Sequence, residues 1–177
     1  MTKPSVTVCI PVYNGEKFIN KAINSVLNQT YEDYILKIFD NCSTDKTREI
    51  VKSHSDKRIK YIRNKENIGM LQNWEKALDS ASTKYVSLLF ADDFYKPEFL
   101  EKTIDIFEKI EDVGLVSAYH QSYNEKNEMA GIKKRKKIGY FSSEKYFSQI
   151  YELNGVPPPS ETILLNEAVK KVGGYDI

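Results

Sequence analysis

Two adjacent carboxylates, Asp92 and Asp93, close the run Tyr85-Val86-Ser87-Leu88-Leu89-Phe90-Ala91, and no basic residue follows until Lys96. Like charges side by side at the end of a buried strand repel and raise one another's pKa. A hard divalent cation relieves that repulsion by taking carboxylate oxygens. The competing reading is a solvated or capping pair ahead of a helix near Pro97, and the pair alone divides the two evenly. Two further polar clusters stand in comparable places. Pro11-Val12-Tyr13-Asn14 follows the β-rich run Val6-Thr7-Val8-Cys9-Ile10, and Asp40-Asn41-Cys42-Ser43-Thr44-Asp45 follows the apolar run 34–39.

The elements that must position these clusters alternate along the chain. The first strand is expected to stop near Ile10, because Pro11 supplies no backbone donor. Phe18, Ile19, Ala22, Ile23, Val26 and Leu27 recur at helical spacing. Ser43, Thr44 or Asp45 can cap a helix carrying Ile50 and Val51. Residues 59–62 read as a third strand, and Asn67-Ile68-Gly69 as a turn into a helix holding Leu71, Trp74, Ala77, Leu78 and Ala81. Residues 85–91 read as a strand buried on both faces, and Pro97 opens a helix with Phe99, Leu100, Ile104 and Phe107. Strand–helix alternation of this kind predicts an α/β, doubly wound, mostly parallel sheet with right-handed crossovers. Ligands of such sheets bind outside the carboxyl ends of the strands, so the three polar clusters are expected to share one crevice. Later, 113–123 is strand-like, 124–127 turn-like and 129–138 basic and extended, which predicts an antiparallel hairpin. A helix around 146–151, a proline-rich loop at 155–160, a strand at 162–165 and a helix at 167–172 complete the reading.

With 177 residues, a single domain is expected, divided into a ligand-binding part (1–112) and an incomplete second part (113–177). Lys+Arg 26 against Asp+Glu 25 leaves +1, which gives no drive toward nucleic acid. Cys9 and Cys42 have neither the number nor the spacing of a disulfide framework or zinc site. No apolar run approaches the ~20 residues that span a bilayer. A soluble, cytoplasmic protein is expected, with peripheral contact at the inner face of the membrane as a further reading.

Val8-Cys9-Ile10-Pro11-Val12-Tyr13-Asn14 resembles the opening strand and loop of family 2 glycosyltransferases. The turn 40–45, Asn67-Ile68-Gly69 and Ala91-Asp92-Asp93 are similar to three further motifs of that family, in the same order. Ser160-Glu161-Thr162 and Gly173-Gly174-Tyr175-Asp176 extend the likeness weakly. The resemblance implies a GT-A fold and a nucleotide-diphosphate sugar as donor, uridine type favoured. It also implies a glycan or lipid-linked acceptor in polysaccharide biosynthesis, and inverting displacement assisted by Mn²⁺ or Mg²⁺. It makes Asp93 the metal ligand and Asp92 its partner on the ribose or a metal-bound water. Asp40 becomes the reader of the base, and Pro11 and Tyr13 the pocket walls. Glu16, Asn67 and Gly69 join the donor-binding set.

Each assignment has a plainer competitor. Asp40 can be a turn residue, Tyr13 a core residue among 12 tyrosines, and Glu16 a match for a helix dipole. Asn41 stands where many relatives have aspartate and Cys42 where they have glycine, so a positive φ at Cys42 would be strained. Cys9 reads as a small core residue, while His54 and His120 have no partners at ligand spacing. Lys133-Lys134-Arg135-Lys136-Lys137 can face an anionic acceptor or membrane, but a lysine-blunted edge strand is favoured. In the family the general base lies in an acidic motif beyond the Gly-Gly-Tyr-Asp segment, hence past Ile177. Loss of such a base costs about 10²–10⁴-fold. That gap motivates the alternative of a non-catalytic nucleotide-sugar-binding module. A phosphoacceptor receiver domain also has acidic strand ends, but Pro-Val-Tyr-Asn has no place in one.

Overall fold

The computed structural model describes residues 5–124, 128–133, 139, 141–142 and 157–173. Strands β1 (Val6–Val12), β2 (Tyr34–Asp40), β3 (Ile59–Arg63) and β4 (Tyr85–Leu88) are mutually parallel, and each is followed by a helix. These helices are α1 (Ile19–Leu27), α2 (Thr47–Ser53), α3 (Met70–Asp79) and α4 (Phe99–Lys109). β1 lies at the centre of the sheet and is buried at every position. Its alternate side chains go to opposite faces. Val6, Val8, Ile10 and Val12 join Ile19, Ile23, Val26, Leu36, Ile38 and Leu100 on one face. Cys9 joins Phe39, Ala77, Leu78, Val86 and Leu88 on the other. The apolar runs are continuous because both faces of the sheet are covered.

Two boundaries differ from the sequence reading. β1 continues through Pro11 to Val12, paired with β2 as far as Val12 and Asp40. The proline is tolerated because β4 ends earlier, its pairing with β1 stopping at Cys9 and Leu88. No ladder partner then waits for the missing N–H. For the same reason β4 spans four residues rather than seven, and the chain leaves the sheet at Leu89, whose N–H bonds Cys9 C=O at 2.8 Å.

The strand-like stretch 113–123 divides into β5 (Leu115–Ser117) and β6 (His120–Tyr123). β6 forms the expected hairpin with β7 (Met129–Lys133), a separate two-stranded sheet. A 3₁₀ turn at Pro159–Glu161 leads into β8 (Thr162–Leu165) and α5 (Asn166–Lys171). β8 enters antiparallel between β4 and β5, giving the order β3-β2-β1-β4-β8-β5. The Ser87 hydroxyl fastens this junction by donating to Thr162 C=O at 2.6 Å while meeting the Tyr95 hydroxyl at 2.7 Å. The helix expected around 146–151 and the basic run at 134–137 lie outside the described residues.

At the carboxyl ends of β1 and β2 the two following loops are laced together. Asn14 N–H donates to Ser43 Oγ at 2.9 Å, Gly15 N–H to Thr47 Oγ1 at 2.8 Å and Glu16 N–H to Asp45 Oδ2 at 2.9 Å. In return Thr44 N–H donates to Asn14 Oδ1 at 2.8 Å and Lys46 N–H to Glu16 Oε2 at 3.1 Å. Gly15 is required by proximity, since a Cβ there would sit 2.5 Å from Val12 Cγ2. Asp45 also accepts from the Thr47 amide and hydroxyl at the start of α2. Partial burial opposes its charge, yet the bonds from Thr47 and Glu16 outweigh that and hold its pKa below the usual carboxylate value.

A depressed folded-state pKa confers stability above the unfolded value of ~4, which is lost as pH falls through the folded value. Asp45→Asn is therefore expected to cost about 1–2 kcal/mol near neutrality. The deficit should shrink as pH falls below the unfolded value of ~4 and the wild-type carboxylate protonates. Denaturant melts of both proteins across this range check it, and a deficit that does not change with pH contradicts the charge argument. Gly15→Ala is expected to destabilise by about 1–3 kcal/mol, measured the same way.

Candidate functional site

The laced loops stand at the carboxyl edge of the sheet, and the loop after β4 lies on the other side of β1 from the loop after β2. By the alternation of the ladder, the Pro11 carbonyl points to the same side as that of Cys9, where β4 has already ended. Tyr13 is 50% exposed, so it is a surface ring and not core. Asn14 takes φ 53° to turn its backbone toward the β2 loop. Glu16 accepts the Lys46 amide at the entrance to α2.

Asp40 is wholly buried. One oxygen accepts Ser43 N–H at 2.7 Å; the other accepts the Tyr61 hydroxyl and faces Arg63 Nε at 3.3 Å. Both oxygens are thus engaged within the protein and shape the turn. Tyr61 is correspondingly hard to ionise, through burial first and the Asp40 hydrogen bond second. Asn41 makes a second buried node. Its amide donates to Asn67 Oδ1 at 2.7 Å and to Gly69 C=O at 3.1 Å. Its oxygen accepts from Asn64 Nδ2 at 2.9 Å and Ile68 N–H at 3.0 Å. An aspartate here would set an acceptor against two acceptors, which explains the departure to asparagine. Cys42 has φ 65°, so the strain that a positive φ would bring at this position is present. Asn67 Oδ1 also accepts Gly69 N–H at 2.9 Å, and Gly69 takes φ 88° ahead of α3. Asn67 and Gly69 are both exposed.

On the other side of the crevice, Asp93 N–H closes a turn to Phe90 C=O at 3.0 Å and leaves both Asp92 and Asp93 exposed. Phe90 is held by the stacked Trp74 ring at 4.7 Å and by Ser160 Oγ, which accepts its N–H at 3.0 Å. The Asp93 carboxyl is partly sheltered here. Desolvation raises its pKa, the Ser160 hydroxyl opposes that, and the Asp92 charge adds to it. Behind it His120 Nδ1 pairs with Glu161 Oε1, a carboxylate that is almost buried. The sequence reading gave His120 no partner. The two residues lie 41 positions apart, and only the β5–β8 pairing brings them together, through Ser117 opposite Thr162 and Ala118 N–H on Glu161 C=O. His54 meets Asn20 Oδ1 at 3.0 Å, and Cys9 is a buried residue whose thiol donates to Ala77 C=O. Burial pushes that thiol's pKa up to about 12.

No three His, Cys, Asp or Glu side chains form a metal cage among the described residues. The Asp92–Asp93 pair nevertheless suits Mg²⁺ or Mn²⁺ by its donor chemistry. It offers exposed, hard oxygens and a repulsion that a cation relieves. Among the described residues no helix is long and apolar enough to cross a membrane.

Comparison with known proteins gives the fold and the family. An uncharacterized glycosyltransferase of Methanocaldococcus jannaschii is 34% identical over 151 residues, 83% of this chain and 52% of that protein. Staphylococcus aureus TarS 1-349 in complex with UDP-GlcNAc superposes with a TM-score of 0.68 at 21% identity, covering 95% of this chain and 47% of that one. The Pyrobaculum calidifontis mannosyltransferase in complex with GDP-Man and Mn²⁺ gives a TM-score of 0.68 at 19% identity, covering 99% and 48%. These structures share the GT-A fold with this chain, which spans about half the length of the relatives it matches. The family model described as Glycosyl transferase family 2 matches residues 7–173. The chain belongs to that family.

Proposed function

We propose that this chain binds a nucleotide-diphosphate sugar, with uridine as the favoured base, and takes part in transferring the sugar to a glycan or lipid-linked acceptor with inversion. The observation that carries the reading is the meeting of three strand-end loops at one edge. Pro11 C=O and Tyr13 stand at the carboxyl end of the central β1, the 40–45 turn joined to Asn67 and Gly69 follows β2 on one flank, and Asp92 with Asp93 follows β4 on the other. Family membership and the GT-A neighbours support it, one of them in complex with UDP-GlcNAc and another with GDP-Man and Mn²⁺.

In this reading Tyr13 stacks on the base, and the Asp40-shaped turn presents backbone groups to its edge. Asp40 thus acts through the turn rather than by contact. Asp92 faces the ribose, and Asp93 with Asp92 would hold Mn²⁺ or Mg²⁺. When bound, such an ion stabilises the negative charge that develops on the leaving phosphate oxygen. The acceptor oxygen forms its bond to the anomeric carbon as the bond to the diphosphate breaks. The electron pair leaves with the diphosphate, and the acceptor's proton passes to a base outside the set assigned here. Glu161 is not assigned that role, since its Oε1 is engaged with His120 and the side chain is nearly enclosed.

Calorimetry of uridine diphosphate with and without Mn²⁺ tests the donor role. Metal is expected to tighten binding at least about tenfold, roughly 1.4 kcal/mol, and Asp93→Ala to abolish that gain. Equal affinity in chelator and in metal removes the metal role, and no affinity in either condition removes the donor reading. Tyr13→Ala is expected to weaken nucleotide binding by about 1–2 kcal/mol without lowering the thermal midpoint, because the ring is already half exposed.

A further inference from the structure

The chain carries a formal charge of +1, yet residues 46–66 hold eight Lys or Arg against three Asp or Glu, a local +5. This segment builds α2 and the edge strand β3, remote in sequence from Asp92 and Asp93. The fold concentrates part of that charge on one concavity. A cleft of about 410 Å³ between α2 and β3 is lined by Arg48, Lys52, Tyr61, Arg63, Asn64 and Lys65. Arg48 and Lys52 stand one helical turn apart on α2, which puts them on the same face. Tyr61 and Arg63 share a face of β3 by strand alternation.

The balance of charge inside the cleft is one-sided. Arg63 gives Nε to Asp40 and one Nη2 bond to Ser43 C=O at 2.8 Å, which leaves it further donors. Asp56, the acidic residue just before β3, is taken by Arg58, whose guanidinium holds its pKa down to about 2. Among the described residues Arg48, Lys52 and Lys65 form no ion pair and no side-chain hydrogen bond. Cations gathered in a concave site without counter-charges focus a positive potential there. Guanidinium and ammonium donors together suit a tetrahedral oxyanion, for which arginine supplies paired N–H groups and lysine a point charge. An edge strand merely blunted against pairing needs lysines spread along its rim, not cations from a helix and a strand turned to one hollow.

We propose that the α2–β3 cleft is an anion site for a phosphoryl group, separate from the crevice at Asp92 and Asp93. The group is either the headgroup of an anionic phospholipid or the phosphate of a soluble ligand. Arg48 and Lys52 are exposed side chains with no role in the donor crevice, so Arg48→Glu/Lys52→Glu tests the site without touching that crevice. Wild type and variant are compared by thermal shift in inorganic phosphate against chloride of equal ionic strength. They are also compared by co-sedimentation with phosphatidylglycerol-containing or pure phosphatidylcholine vesicles. Phosphate held in the donor crevice is common to both proteins and cancels. A phosphate-specific rise in the wild-type midpoint, lost in the variant, assigns a soluble phosphate ligand. Sedimentation with the anionic vesicles alone, reduced about tenfold or more in the variant, assigns the headgroup. Matching behaviour of the two proteins in both assays, with equal midpoints in chloride as the folding control, reduces the cleft to a solvated basic edge and overturns the proposal.

Discussion

Backbone amides of residues 14–16 have no helix or strand to bond to, and they find their acceptors on the neighbouring loop. Ser43, Asp45 and Thr47 take them, while Asn14 and Glu16 return acceptors to Thr44 and Lys46. Buried and half-buried amides left without such partners would cost several times what a surface bond returns. The reciprocal lacing therefore locks the ends of β1 and β2 at one separation. Everything on that side of the crevice takes its position from this joint: the exposed Tyr13 ring, the positive φ of Asn14 and Cys42, and the turn organised by Asp40.

The opposite side is built by different means. β4 stops early and the chain turns at Phe90, so Asp92 and Asp93 are carried clear of the sheet instead of being buried in it. Trp74 from α3 and Ser160 from the 3₁₀ turn hold Phe90 from two directions. The late part of the chain thus contributes to a site whose charged residues all lie in the earlier part. Asn41 joins the two halves of the floor, since its amide ties the β2 turn to the Asn67–Gly69 turn ahead of α3.

Much of this was legible from local pattern. Both-face burial of the apolar runs announced a parallel sheet, and the polar clusters stand at neighbouring strand ends as read. The cysteine at 42, where relatives have glycine, left the sign of φ open, and the turn takes it positive. Three features were not legible, each for a physical reason. Pro11 reads as a strand terminator until it is known that β4 leaves before reaching it. Asp40 reads as an open acceptor because its partners, Tyr61 and Arg63, come from a strand paired with its own more than twenty residues later. His120 and Glu161 meet only because β8 inserts antiparallel beside β5, a pairing that no local periodicity encodes.

The central claim is that the donor is held between the laced loops and the Asp92–Asp93 turn. Backbone amide NMR of the chain titrated with uridine diphosphate and Mg²⁺ tests it most directly. The account predicts shifts at residues 12–15, 41–44, 67–69 and 90–94, on both sides of the crevice and at its floor. Shifts confined to the α2–β3 edge, or to one wall with the Asp92–Asp93 turn silent, would contradict it.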